Sequence, residues 1–178
     1  MRFRASIAAI ACLATACCSA PAPEPTPAPP IARPTPAPTP TPTPTTAYAN
    51  WMDAPQTAGD WFYRKGGTTT AALFGESGTD ARFAITCVLG QRRVTLARAG
   101  AAAEPMPMRI RTETTDRAIT ATPATGELPS LIATLGSSDP LLDAIAFSKG
   151  RFAVEVPGQA ALYLPSWPEI TRVIEDCR

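Results

Sequence analysis

Between residues 47 and 178, apolar side chains recur at every second position in short runs. This is the spacing of strands that bury one face. Phe83, Ile85, Cys87 and Leu89 alternate with Ala84, Thr86 and Val88. Gly90-Gln91 follows, and a Gly in first place suits a type II′ turn. Closing there pairs Leu89 with Arg92, Cys87 with Val94 and Ile85 with Leu96. In the last two pairs apolar faces apolar, so turn and pattern agree on register. Met108 and Ile110 alternate with Arg109 and Arg111, and crossing Glu113–Asp116 pairs Ile110 with Ile119 and Met108 with Ala121. The aromatic cluster Trp61-Phe62-Tyr63 predicts a first strand, Lys65-Gly66-Gly67-Thr68 a turn, and Thr69–Phe74 the return. Leu131–Leu135 reads as a further strand. Phe152–Val156, Pro157-Gly158 and Ala160–Leu164 read as a third hairpin. The inward face of its second strand is ambiguous, because Leu162 and Leu164 compete with Tyr163.

Two segments switch to helical spacing. Asp139-Pro140 is a strong start, with Asp as N-cap and Pro in the first turn. Leu141, Leu142, Ile145 and Ala146 form the stripe, Lys149 falls in the last turn and Gly150 ends it. Ser166-Trp167-Pro168-Glu169 reads as a capping box, Ser at N-cap and Glu at N3. Ile170, Val173, Ile174 and Cys177 then share one helical face. The predicted fold is α+β and β-rich. Six to nine mostly antiparallel strands form a sandwich or open barrel, with two short helices near the C-terminus.

The first 46 residues are of another kind. Met1-Arg2-Phe3-Arg4 and the apolar run Ala5–Ala16 have the layout of an export signal, and the run is too short to span a bilayer. Leu13-Ala14-Thr15-Ala16-Cys17 resembles a lipoprotein signal, with Cys17 as the lipidated residue and Cys18 as the alternative. Leu13 stands four residues before Cys17 rather than the usual three. Cleavage after Ala16 or Ala20 would instead give a soluble periplasmic or secreted form. In a lipidated form Cys18 follows the modified residue where inner-membrane retention signals carry Asp. By that resemblance the anchor is in the outer membrane, facing the periplasm. Twelve of the 24 residues from Pro21 to Pro44 are proline, most of the rest Ala or Thr. Proline fixes φ and biases its predecessor away from helix, so residues 17–46 read as a disordered, polyproline-II-like stalk. At about 3.1 Å per residue, its 26 residues from Pro21 to Thr46 reach at most roughly 80 Å. The folding part is then 47–178, long enough for one core without a metal.

Composition narrows the chemistry. The chain has no histidine, which removes Ser-His and Cys-His pairs and most zinc sites. Of the 16 basic side chains, Arg2 and Arg4 leave with the signal, so 14 face 15 acidic, net −1. That is not a nucleic-acid binder, which needs a concentrated basic surface. Cys12 leaves with the signal too. Cys87 on an apolar strand face and Cys177 on an apolar helix face then remain in an oxidising compartment, where such residues pair. Neither a phosphate-binding loop, a C-x-x-C nor a G-x-S-x-G is present, and no cofactor or metal site is expected. Asp139 with Asp143, and Glu175 with Asp176, are the carboxylate pairs that a glycan-cleaving reaction could use. Arg109 and Arg111 share a strand face and form a candidate anion-binding strip, which Arg64, Lys65, Arg92 and Arg93 could extend. Trp51, Trp61 and Trp167 read as packing residues or, alternatively, as a carbohydrate platform.

Two stretches resemble an uncharacterised family of alphaproteobacterial exported proteins. These are Asn50–Trp61 (NWMDAPQTAGDW) and the tail from Ala146 (AFSKGRFAVEV) through Leu164–Ile170 (LPSWPEI) to Val173–Arg178 (VIEDCR). A looser likeness, of overall pattern only, is to invasion-associated locus B proteins. The resemblance implies an exported location and no activity. The expectation is a non-enzymatic envelope lipoprotein, a binding or structural module on a proline stalk. Its partners would be the membrane, through the lipid, and an envelope protein. The alternatives are a carrier of a small molecule or lipid, and a carboxylate-dependent cell-wall glycan enzyme.

Overall fold

The computed structural model describes residue 48, residues 50–124, residue 126 and residues 128–178. The signal at 1–16, the lipidation candidates Cys17 and Cys18 and the stalk to 46 lie outside them. The described chain is a nine-stranded antiparallel open sheet with two short helices. The strands are β1 (Asp60–Lys65), β2 (Thr69–Gly75), β3 (Phe83–Val88), β4 (Arg93–Ala99), β5 (Met106–Arg111), β6 (Asp116–Ala124), β7 (Ser130–Gly136), β8 (Arg151–Glu155) and β9 (Leu162–Pro165). Helix α1 (Pro140–Ala146) precedes β8, and α2 (Pro168–Asp176) follows β9. Their order across the sheet is β1-β2-β3-β4-β7-β6-β5-β8-β9.

Strand β6 turns the corner. Its first six residues pair with β5 and its last three with β7, so it belongs to both halves of the sheet. The halves bend until their inner faces meet. Trp61, Phe74, Phe83 and Phe152 run through the resulting core in edge-to-face contacts, with ring centroids 5.2–6.4 Å apart. The two end strands of the order, β1 and β9, are joined through side chains. The Trp61 indole donates to the Pro165 carbonyl at 2.8 Å. Helix α2 lies on the inner side of β1–β3 and buries Ile170, Val173 and Ile174. Cys177 at its end is bonded to Cys87 of β3, as the cysteine count predicts.

The first hairpin keeps the expected register, Cys87 opposite Val94 and Ile85 opposite Leu96. Its turn differs. Leu89–Gln91 form a 3₁₀ turn and the left-handed residue is Arg92, at φ 50°, not Gly90. The Leu89 N–H donates to Thr68 O in the neighbouring loop at 3.0 Å, and the Arg92 N–H closes the turn on Leu89 O at 3.3 Å. The second hairpin is shifted by two residues, with Met108 opposite Ile119 and Met106 opposite Ala121. Thr112 causes the shift. Its hydroxyl accepts from Thr115 N at 2.9 Å and donates to Thr115 O at 3.0 Å, closing a tighter turn around Glu113-Thr114. A two-residue slip keeps every side chain on its face, so the apolar pattern cannot detect it.

Both helices start near the expected places with different details. Asp139 caps α1 by accepting from Leu141 N at 2.9 Å. The helix ends at Ala146, so Lys149 lies beyond it and pairs with Glu113 at 2.9 Å. The capping box at α2 does not form. Pro168 restricts its predecessor to extended backbone, so Trp167 becomes the N-cap, and Ser166 donates instead to Ile145 O at the end of α1. The ambiguous strand β9 is buried on both faces. Leu162 and Leu164 join the main core, while Tyr163 and Ala153 pack outside with Trp51 and Ala54.

The Cys87–Cys177 bond spans 90 residues, a cross-link worth on the order of 4–5 kcal/mol in the chain-entropy treatment. Cys177→Ser should lower unfolding stability by about that amount in denaturant titration. A change below about 1 kcal/mol would show that the bond does not constrain the unfolded chain.

Candidate interaction surface

Strand alternation gives the β1–β4 and β7 half an inner and an outer face. The outer residues stack into rows through the pairing register. Phe62, Leu73, Ala84, Ala97 and Ile132 are successive cross-strand neighbours, and so are Arg64, Ala71, Thr86, Thr95 and Thr134. All except exposed Arg64 and Thr134 are half-buried, and the middle of both rows carries no charge. An open antiparallel sheet ordinarily turns a polar or charged face to water. Here the middle of that face is Ala, Thr, Leu, Ile and Phe, with Asp60, Arg64 and Arg93 at its margins. Among the described elements none is layered over it, because α2 packs on the inner side.

The β2–β3 loop rises along one margin of this face. With the floor formed by Phe62 and Leu73 it encloses a groove of about 260 Å³, walled by Gly75, Glu76, Thr79 and Ala81. Arg64 extends over the Phe62 ring, 5.9 Å from its centroid. Glu76 is engaged by Arg82 at 2.8 Å. A second groove, about 310 Å³, lies between the Thr114-Thr115 turn and the outer side of α1. It ends at Phe147, which is 70% exposed.

Arg109 and Arg111 do share a face, and two carboxylates share it with them. Asp116 accepts from Arg109 Nε and Nη2 at 2.6 Å each. Glu155 of β8 accepts from Arg111 Nη1 at 3.2 Å. The Arg109 hydrogen bonds hold the Asp116 carboxyl below its usual value against the opposing effect of partial burial. Two cations matched by two anions leave no net charge for an incoming anion. Arg64, Lys65, Arg92 and Arg93 stand on β1 and the β3–β4 hairpin, elements that do not pair with β5. The tryptophans are separated too. Trp61 is in the main core, Trp51 is in the outer cluster with Tyr163, and Trp167 is the partly exposed one.

The carboxylate pairs are each tied to partners. Asp139 bonds Arg117 at 2.7 Å and Asp143 bonds Arg178 at 2.6 Å. Asp176 accepts from the Tyr63 hydroxyl at 2.7 Å, and Glu175 lies 3.5 Å from Arg178. Burial alone would raise Asp139, but Arg117 and the Leu141 N–H outweigh it and hold the carboxyl below its usual value. A general acid needs the opposite shift.

One residue escaped the sequence reading. Arg98 stands opposite both Phe83 and Leu131, on the inner face at the open end of β4. Its guanidinium donates to the carbonyls of Ala99 and Ala160, latching β4 to the chain entering β9. Burial, helped by the nearby Arg82 charge, pulls its pKa down. Continuing the period-two series Val94, Leu96 to residue 98 would have found it.

Comparison of the chain with protein-family models, curated proteins and solved structures finds no match. Among the described residues, no helix is long and apolar enough to cross a membrane, and no cluster of His, Cys, Asp or Glu could hold a metal ion.

Asp116 and Asp139 are more acidic folded than unfolded, so their contribution is present above the usual aspartate value of 3.8 and lost as pH falls through and below it. Acid titration of unfolding should show stability falling in that window. Asp139→Asn, which keeps a capping oxygen, should flatten the slope. An unchanged slope would remove Asp139 from the acid response.

Proposed function

We propose that this chain is a non-enzymatic module of the cell envelope, exported, anchored through lipid on Cys17 and presenting its uncovered sheet face to a partner. The observation that carries the reading is the pairing of a filled interior with an outer face whose middle carries no charge. Phe74, Phe83, Phe152, Ile85, Leu96, Met108 and Leu131 are all fully buried and occupy the space a carrier would need for its cargo. Both grooves lie on the outside, and the carboxylates that a glycan enzyme would use are engaged by cations or a phenol. Contiguous uncharged surface at the middle of a sheet is what protein interfaces bury.

The Cys87–Cys177 bond fits an oxidising compartment. The n-region, the short apolar run and the small residues before Cys17 fit export and lipidation. A stalk of up to roughly 80 Å lets the face reach a partner away from the membrane surface.

Two outcomes test the reading. Cys17→Ser, together with Cys18→Ser, should move the protein from the membrane fraction to the soluble fraction. Retention in membranes would sink the lipid anchor. Ala84→Glu puts a charge in the centre of the outer row and should change folding stability by less than about 1 kcal/mol, because its side chain points away from the core. It should nevertheless abolish crosslinking to the partner in intact cells. Crosslinking that survives this substitution would move the interaction off the sheet face.

A further inference from the structure

The outer face has a charge pattern that complements itself. Asp60, Phe62 and Arg64 alternate along the outer side of β1, with Trp61 buried between them on the inner side. Asp60 and Arg64 are exposed, and the ion pairs formed among the described residues involve other side chains. At about 3.4 Å per residue, the acid and the base stand about 7 Å on either side of Phe62.

Building on the envelope-module reading above, we propose that this face binds a second copy of the same chain, sheet against sheet. The two-fold axis would run along the row Phe62, Leu73, Ala84, Ala97 and Ile132. Such an axis reverses strand direction between the copies. Phe62 then meets Phe62 of the second copy, and Arg64, which in the single chain extends over its own Phe62 ring, turns to Asp60 of the second copy, twice per dimer. This is an isologous contact, in which one patch serves both subunits. The small Ala and Thr side chains of the middle strands let two sheets approach to the usual spacing of about 10 Å. The β1 edge itself is a poorer site, because the Trp61–Pro165 bond and the Tyr63 contact with α2 hold β1 at that margin.

The size of the patch sets the strength. Five strands about 4.8 Å apart and three rows about 6.8 Å apart, those through Asp60, Phe62 and Arg64, give roughly 490 Å² per copy. A standard interface buries about 800 Å² per partner, so the dimer is weak and reversible. Tethering both copies to one membrane raises their effective concentration and makes such an affinity sufficient.

Sedimentation equilibrium of the secreted full chain carrying Cys17→Ser and Cys18→Ser tests the proposal. The chain should show a monomer–dimer equilibrium with Kd on the order of 10–100 μM. Asp60→Arg alone, or Arg64→Asp alone, should weaken it at least about tenfold by setting like charges together. The double variant Asp60→Arg/Arg64→Asp should return it to near the starting value, and Ala84→Glu should abolish it. An unchanged melting temperature in each variant separates these effects from misfolding. A chain that stays monomeric up to about 1 mM, or a dimer that no charge reversal weakens, overturns the proposal. If the chain is monomeric and the sheet face crosslinks to a different protein in cells, self-association fails while the module reading stands. If neither occurs, both fail.

Discussion

The bond between Cys87 and Cys177 fixes the side of the sheet on which the last helix lies. Cys87 is on the inner face of β3, so a covalent link to it brings the end of the chain to that side. Helix α2 is thereby held across β1–β3, where Tyr63 bonds Asp176 and Arg172 sits 3.9 Å from the Tyr63 ring centroid. With Trp61 bonded to Pro165, this covers the margin where β1 and β9 meet through side chains. An exposed strand edge is a template for unwanted pairing, and a helix laid over it is one of the ways proteins manage that liability.

The placement has a consequence on the other side. Among the described residues there are two short α-helices, and α1 also belongs to the main core. The outer face of β8 and β9 is nevertheless covered, by Trp51 and Ala54 in the segment before β1. The outer face of β1–β4 and β7 receives no such cover from the described residues. Its Ala and Thr residues are neither the charged set that keeps a solvated sheet soluble nor the large apolar set that forms a core. Its middle, made of small uncharged side chains, suits contact with another surface. The proposed function therefore rests on an asymmetry among the described residues: one outer face is covered and the other is left open.

Much of the fold was legible because local signals and apolar pattern agreed. Cys87 opposite Val94, the Asp139-Pro140 helix start and the disulfide each had two independent signals. The errors fall where side chains other than the patterned ones decide. The second hairpin moved by two residues on the strength of one threonine hydroxyl. A shift of two is invisible to a pattern of period two. The Ser166 capping box lost to the constraint that Pro168 places on Trp167 and to a competing acceptor on α1. Strand β9 was ambiguous because Trp51, more than 100 residues earlier, returns to cover its second face. The surface itself was half visible. Ala84 and Thr86 stand in the sequence between the members of the buried series, and their lack of charge was the signal. That they continue as rows across five strands required the register. The arginine strip shows the converse. The shared face of Arg109 and Arg111 could be read from alternation, but Glu155, which matches them, comes from a strand that joins only through the tertiary fold.

The central claim is that the outer face of β1–β4 and β7 is the working surface. The most direct test places a photocrosslinking side chain at Thr86, in the middle of that face, in intact cells. A matched chain carries it at Thr120, exposed on β6. A covalent adduct of defined mass from Thr86 and none from Thr120 is the expected result. Equal labelling at both positions, or no adduct at Thr86, would contradict it.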